Sequence, residues 1–101
     1  PGIQNFIAYY KANYSAGPVL PNPLMAYDAA RWLAGAIKRA KSTNGEKLKE
    51  AMEQTKDLQV LTGLLTIDPA THNPLNKPAT IQQVQVATKQ FTYVKTFVTA
   101  D

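Results

Sequence analysis

The chain has no cysteine, a single histidine and no long apolar run. Without cysteine it forms neither disulfides nor thiolate metal sites, and it has no cysteine nucleophile. No stretch approaches the roughly 20 consecutive apolar residues that a membrane-spanning helix needs. The sequence contains no basic segment followed by an apolar one, the pattern of a signal peptide. The sequence begins at Pro1 without an initiator methionine, as expected of a processed or excised chain.

Residues that could perform catalysis are also sparse. His72 lies in a proline-flanked turn, four residues after Asp68. The only serines, Ser15 and Ser42, fall at helix ends or in loops, so no nucleophile is paired with the histidine. One histidine without cysteine is a poor zinc site, and no glycine-rich phosphate-binding motif occurs. We therefore expect no enzyme activity, no metal and no cofactor, and we interpret His72 as a turn residue.

The charge balance leaves two interpretations open. The 101 residues suffice for one domain, and 45% hydrophobic with 18% charged residues is an ordinary globular composition. The net charge of +4 would suit a small basic α+β interaction module, one that binds nucleic acid for example. However, the lysines are dispersed, and the densest basic run, residues 38–41, ends a predicted helix, where cations interact favourably with the helix dipole. We favour a solvated surface and no nucleic-acid partner.

Periodicity predicts three helices in the first half of the chain. Residues 2–15 carry an apolar stripe at helical spacing. A second helix follows the proline-rich loop, with Asn22 as its N-cap and Pro23 as its first residue, and has Ala26, Ala30 and Leu33 on one apolar face. The segment from Thr43 to Glu46 has the spacing of a capping box and begins a short third helix.

The second half of the chain predicts three strands. The runs are residues 61–67, 80–87 and 91–98, and the last two alternate as a hairpin. Helices followed by strands predict an α+β fold, with three helices and then a three-stranded, mainly antiparallel sheet.

Taken together in order, these segments resemble a known family. The quoted motifs are "FIAYYKANYSAGP", "MAYDAARWLAGAIKRAKS", "EKLKEAME", "LTGLLTIDPATHNPLNKPATIQQV" and "FTYVKTF". They resemble the C-terminal portion of type I periplasmic binding proteins, in particular the branched-chain amino acid (leucine, isoleucine, valine) binding proteins of ABC transporters. The strongest points are the "AYDA" of the second helix, Thr62-Gly63 and Asp68-Pro69.

The resemblance implies a piece of a two-lobed α/β fold with the ligand in the cleft between the lobes. Residues 1–68 would belong to one lobe, residues 69–79 would form the crossing loop, and residues 80–101 would form a closing hairpin on the other lobe. It implies a non-catalytic, extracellular or periplasmic ligand-binding receptor for branched-chain or related amino acids, which delivers them to the membrane permease of an ABC importer.

By the same resemblance, the loop before the "AYDA" helix is the part of this chain that contacts ligand. Its residues are Leu20, Pro21, Asn22 and Pro23. The family often places an apolar or aromatic side chain here, and Asn22 departs from that pattern. Because the parallel strands of both lobes are missing from this sequence, we expect the isolated chain to bind little ligand. We also expect its uncovered apolar helix stripes to make it self-associate as a homodimer.

Overall fold

The structure, a computed structural model, describes residues 2–18 and 21–98. Three helices precede all of the strands, which confirms the α+β class. The elements are α1 (Gly2–Tyr14), α2 (Asn22–Ala40), α3 (Gly45–Glu53), β1 (Leu58–Val60), β2 (Gly63–Ile67), β3 (Pro74–Leu75), β4 (Pro78–Gln85) and β5 (Gln90–Val98).

The caps of two helices lie one residue away from their predicted positions. In α3 the cap is Asn44 rather than Thr43, because the Asn44 Oδ1 accepts the backbone N–H groups of Glu46 at 3.1 Å and Lys47 at 3.3 Å. In α2 the flanking residue is Pro21, and Asn22 is already helical. The capping preferences that predict these ends are short-ranged, so they locate a helix end without fixing its residue.

The strands form two separate sheets, whereas the sequence predicted one sheet of three strands. Strands β1, β2 and β3 make an antiparallel sheet in that order, with Leu58 opposite Leu65. Strands β4 and β5 form an antiparallel hairpin of their own, with Val84 opposite Phe91. The predicted crossing loop thus contains the short strand β3, and the hairpin begins at Pro78. A β-bulge leaves Val94 as the extra residue, where the pairing shifts in register.

The apolar core lies between α2 and the three-stranded sheet. Val60, Leu65 and Ile67 are buried, and Trp32 of α2 and Leu58 pack against them. A second contact joins α2 to α3, where the small side chains of Ala36 and Ala51 are both buried. Small residues allow the two helices to approach closely at this contact.

Much apolar surface remains uncovered. On α2 the predicted apolar face is exposed at Ala26, Ala30 and Leu33, and the opposite face carries the inward-facing Asp28 and Trp32. Every residue of β5 is exposed. The radius of gyration is 16.5 Å, compared with about 13 Å for a compact domain of 100 residues. The helices and the hairpin therefore do not close around one core.

Candidate functional site

The predicted ligand-contact residues lie at the beginning of α2. The Pro21 carbonyl accepts the backbone N–H groups of Leu24 and Met25, both at 3.1 Å, and so starts the helical ladder. Pro21 and Asn22 are exposed and Pro23 is half-buried. Leu20 lies outside the described residues. The described part of the segment thus presents an amide side chain and a proline to solvent at a helix end.

Asp28 connects α2 to the turn between β1 and β2. Its carboxylate accepts hydrogen bonds from the backbone N–H of Leu61 at 2.7 Å, the backbone N–H of Thr62 at 3.0 Å and the Thr62 hydroxyl at 2.7 Å. The residue is only 8% exposed. An acid in the first turn of a helix would interact favourably with the helix dipole. The structure places Asp28 in the second turn, where its role is to hold another segment.

These contacts give a physical reason for two of the motifs that carry the family resemblance. The aspartate of "AYDA" binds the threonine of the Thr62-Gly63 step, so each motif needs the other. Gly63 has a φ of 111°, a conformation that residues with a Cβ rarely adopt, and a Cβ there would meet no atom within 4 Å. Glycine is thus required for the backbone conformation of the turn and not for close packing.

Arg39, in the densest basic run, has partners within the fold. The Arg39 guanidinium donates to the Ala51 carbonyl at 2.8 Å and to the Thr55 hydroxyl at 2.7 Å. The Trp32 indole N–H donates to the same hydroxyl at 2.7 Å. Thr55 is 2% exposed, so Arg39 and Trp32 fix the end of α3 on α2. This network was not evident from the sequence, and it gives Arg39 a structural use that does not favour a nucleic-acid interface.

Asp68 and His72 do not form a catalytic pair. The Asp68 carboxylate accepts the Thr71 hydroxyl at 2.7 Å and the Ala70 N–H at 2.9 Å, and these bonds hold its pKa below the usual range. His72 has a φ of 62°, typical of a tight turn, and its backbone N–H donates to the Asp68 carbonyl at 2.8 Å. Both residues therefore shape the loop after β2.

The imidazole of His72 faces α3 instead. Its Nε2 lies 2.8 Å from Glu53 Oε1, and Lys49 Nζ lies 3.0 Å from the same oxygen. The hydrogen bond from Lys49, and then that from His72, lowers the pKa of Glu53, although partial burial opposes the shift. Lys49 and Glu53 are four residues apart on α3, the spacing at which opposite charges on one helix can pair. The cluster joins the last turn of α3 to the loop after β2.

An open groove of about 730 Å³ lies between α1, α2 and the turn after β1. It is lined by Gly2, Ile3, Gln4, Arg31, Gln59, Val60 and Leu61. Pro21, Asn22 and Pro23 are not among its residues, so the predicted ligand-contact segment does not form this cavity.

Within residues 2–18 and 21–98, no three histidine or carboxylate side chains lie together as metal ligands would. Nor is any helix among these residues long and apolar enough to cross a membrane.

The family of the chain is shown by comparison with known proteins. The model of the periplasmic binding protein family matches residues 1–90, so the chain belongs to that family. Among solved structures, it is similar to a leucine binding protein, LivK, from Thermotoga maritima MSB8, with 26% sequence identity and a TM-score of 0.74. The match covers 95% of this chain and 26% of that chain. No curated protein matches the sequence.

The resemblance seen in the motifs is confirmed by both comparisons, and each of them is to a binding protein. This chain spans about a quarter of the length of the leucine binding protein it matches, so it is a piece of that fold. Its exposed apolar surfaces are therefore those of a partial fold. The expected homodimer of the isolated chain has no support in these comparisons.

Proposed function

We propose that this chain is the C-terminal segment of the solute-binding component of an ABC importer, with branched-chain or related amino acids as its ligands. The component acts without catalysis, in the periplasm or at the extracellular surface, and delivers its ligand to the membrane permease. The observation that carries the proposal is the family match over residues 1–90. The similarity to a leucine binding protein supports the ligand class.

Calorimetric titration of the full-length gene product with leucine, isoleucine and valine tests the ligand class. We expect dissociation constants on the order of micromolar, equivalent to about 8 kcal/mol of binding free energy. A sugar such as ribose serves as the control and should give no binding heat. Micromolar binding of ribose without binding of any of the three amino acids would contradict the proposal.

The isolated 101-residue chain should give no binding heat with the same amino acids. The reason is that the chain spans about a quarter of the leucine binding protein, so by the family resemblance most of the pocket lies outside it. Small-molecule sites normally bury most of the ligand surface in a cavity. Micromolar binding of leucine by the isolated chain would show that the pocket lies within it.

The proposed ligand-contact segment is Leu20, Pro21, Asn22 and Pro23, of which the last two are the first residues of α2. Asn22→Ala in the full-length protein should weaken leucine binding about three- to tenfold, the change expected from one lost hydrogen bond. Asn13→Ala is the matched control, because Asn13 is exposed on α1 and its amide donates to the Tyr9 carbonyl. Equal effects of the two variants would remove Asn22 from the site.

A further inference from the structure

The carboxylate of Asp28 is buried, and no cation lies within 4.0 Å of it among residues 2–18 and 21–98. Its three hydrogen-bond donors are two backbone N–H groups and a hydroxyl, all of them neutral. Among the described residues, the ion pairs within 4.0 Å both involve Glu53. Because a buried charge without a partner is costly, the surroundings of Asp28 should supply a cation at slightly longer range.

Lys77 supplies such a cation through Thr62. Its ammonium lies 2.8 Å from the Thr62 hydroxyl and 3.2 Å from the Thr62 carbonyl. The hydroxyl has one hydrogen, which it donates to Asp28, and free lone pairs that accept from Lys77. The three groups form a chain from ammonium to hydroxyl to carboxylate, in which each hydrogen bond polarises the next.

Lys77 also lies at the junction between the three-stranded sheet and the hairpin. It separates β3 from β4, and it follows Asn76, whose φ of 52° marks a sharp bend. The hairpin that begins at Pro78 is almost wholly exposed. Within the described part of the chain, the only side-chain hydrogen bonds between residues 76–98 and residues 2–67 are those of Lys77.

We propose that Lys77, through Thr62 and Asp28, fixes the direction in which the β4–β5 hairpin leaves the rest of the chain, and that it is thereby a positioning residue for ligand binding. The second half of this statement rests on the proposed function and on the family resemblance, which implies that the hairpin closes on the other lobe of the ligand cleft. When the tether is broken, the hairpin samples more orientations. The fraction of molecules competent to bind falls, and the apparent dissociation constant rises in proportion.

Hydrogen exchange of the full-length protein without ligand tests the tether. Lys77→Met should speed exchange about tenfold in peptides covering residues 60–64 and 75–80, the effect of one lost charge-assisted hydrogen bond. Thr62→Val should speed it at least as much, because its hydroxyl also donates to Asp28. Because both variants break one chain of bonds, the double variant should exchange about as fast as Thr62→Val alone. Lys77→Arg and Thr62→Ser keep the donor and the hydroxyl and should behave as wild type.

The control is Lys95→Met, which removes the same charge from an exposed position on β5 and should leave exchange unchanged in both peptides. The tether would be overturned if the rate increase in the double variant equalled the product of the two single increases. It would also be overturned if the single variants exchanged no faster than Lys95→Met.

Leucine titration of the same variants tests the positioning role. Lys77→Met should raise the dissociation constant by up to about tenfold, the factor by which the orientation equilibrium shifts. Lys77→Arg should restore it, and Lys95→Met should have no effect. Unchanged affinity in Lys77→Met would overturn the positioning role. If the wild-type protein binds none of leucine, isoleucine and valine, the proposed function fails, and the exchange data still decide whether the tether exists.

Discussion

Replacing Asp28 by asparagine tests how much the link between α2 and the β1–β2 turn contributes to stability. The carboxylate accepts three hydrogen bonds, at 2.7, 3.0 and 2.7 Å, and bonds to a charged group contribute about 1.5–3 kcal/mol each. Asparagine has the same shape but one acceptor oxygen fewer. If that oxygen still accepts from the Leu61 N–H, the amide NH₂ faces the backbone N–H of Thr62. The Thr62 N–H then has no acceptor on residue 28.

The net cost is smaller than the lost hydrogen bonds alone suggest. The Thr62 hydroxyl can rotate and accept from the new NH₂, and the substitution removes the cost of burying a charge. Thr62 is exposed, so water solvates part of the released N–H. We therefore expect Asp28→Asn to lower the free energy of unfolding by about 2 kcal/mol.

The assay is urea unfolding followed by circular dichroism, with hydrogen exchange of the peptide covering residues 58–66 as a local readout. The matched control is Asp57→Asn, because Asp57 is exposed, accepts only the Thr66 hydroxyl, and has a φ of 50° that asparagine tolerates well. The control should stay within about 0.5 kcal/mol of wild type. A change for Asp28→Asn no larger than that of the control would refute the inferred role of the carboxylate.

Other substitutions examine separate parts of the fold, each by denaturant unfolding unless stated. Gly63→Ala should cost about 2 kcal/mol because of its φ of 111°, whereas Gly45→Ala, with open space and no such φ, should be neutral; equal costs would contradict this. Thr55→Val removes the acceptor of an indole and a guanidinium and should cost about 2 kcal/mol, with Thr55→Ser less damaging; the reverse order would be evidence against the network. Hydrogen bonds from Lys49 and from His72 lower the pKa of Glu53. Their stabilisation is present above the unfolded-state pKa and is lost as the pH falls through the lower folded-state value. Wild type should therefore lose stability between pH 5 and 3 more steeply than Glu53→Gln, and parallel pH profiles would contradict the assignment. His72→Ala should leave leucine binding by the full-length protein unchanged, and a folded variant without binding would contradict the interpretation of His72 as a turn residue.

The helices could be read from the sequence because their signals are local. The first helix was predicted over residues 2–15 and is observed as Gly2–Tyr14. The hairpin was likewise predicted from alternation, and β5 is observed as Gln90–Val98. Each of these signals depends on residues a few positions apart, which interact in the same way in any surroundings. The exact caps differed by one residue, since several neighbouring residues can satisfy the same helix end.

The strands β1 and β3 could not be predicted. They have only three and two residues, too few to show a period. They are strands because β2 lies between them and supplies hydrogen-bond partners on both of its edges. Without β1 and β3, the sequence showed only three strands and suggested that they form one sheet. In the structure, β2 pairs with β1 and β3, and β4 and β5 pair only with each other.

The candidate site, too, could be predicted only in part from the sequence. Resemblance of the ordered motifs was enough to predict the family, because "AYDA" and Thr62-Gly63 occur in the right order and spacing. The ligand-contact role of Pro21, Asn22 and Pro23 stays a prediction, and the division of the chain at residues 68 and 79 does too. The role of Thr55 had no signal in the sequence, since Thr55 belongs to none of the motifs. Lys77 does lie within a motif, but the motif does not show what its side chain contacts.

The sequence by itself determined the order of helices and strands, the absence of cysteine chemistry and the family of the protein. Only the tertiary structure decided what Asp28 does: its partners lie 33 and 34 residues further along the chain. Local propensity and periodicity act over a few residues, whereas a hydrogen bond between distant segments exists only when packing brings them together. Packing of Trp32 against the sheet places α2 beside the β1–β2 turn, and that placement turns an ordinary helical aspartate into the anchor of the turn.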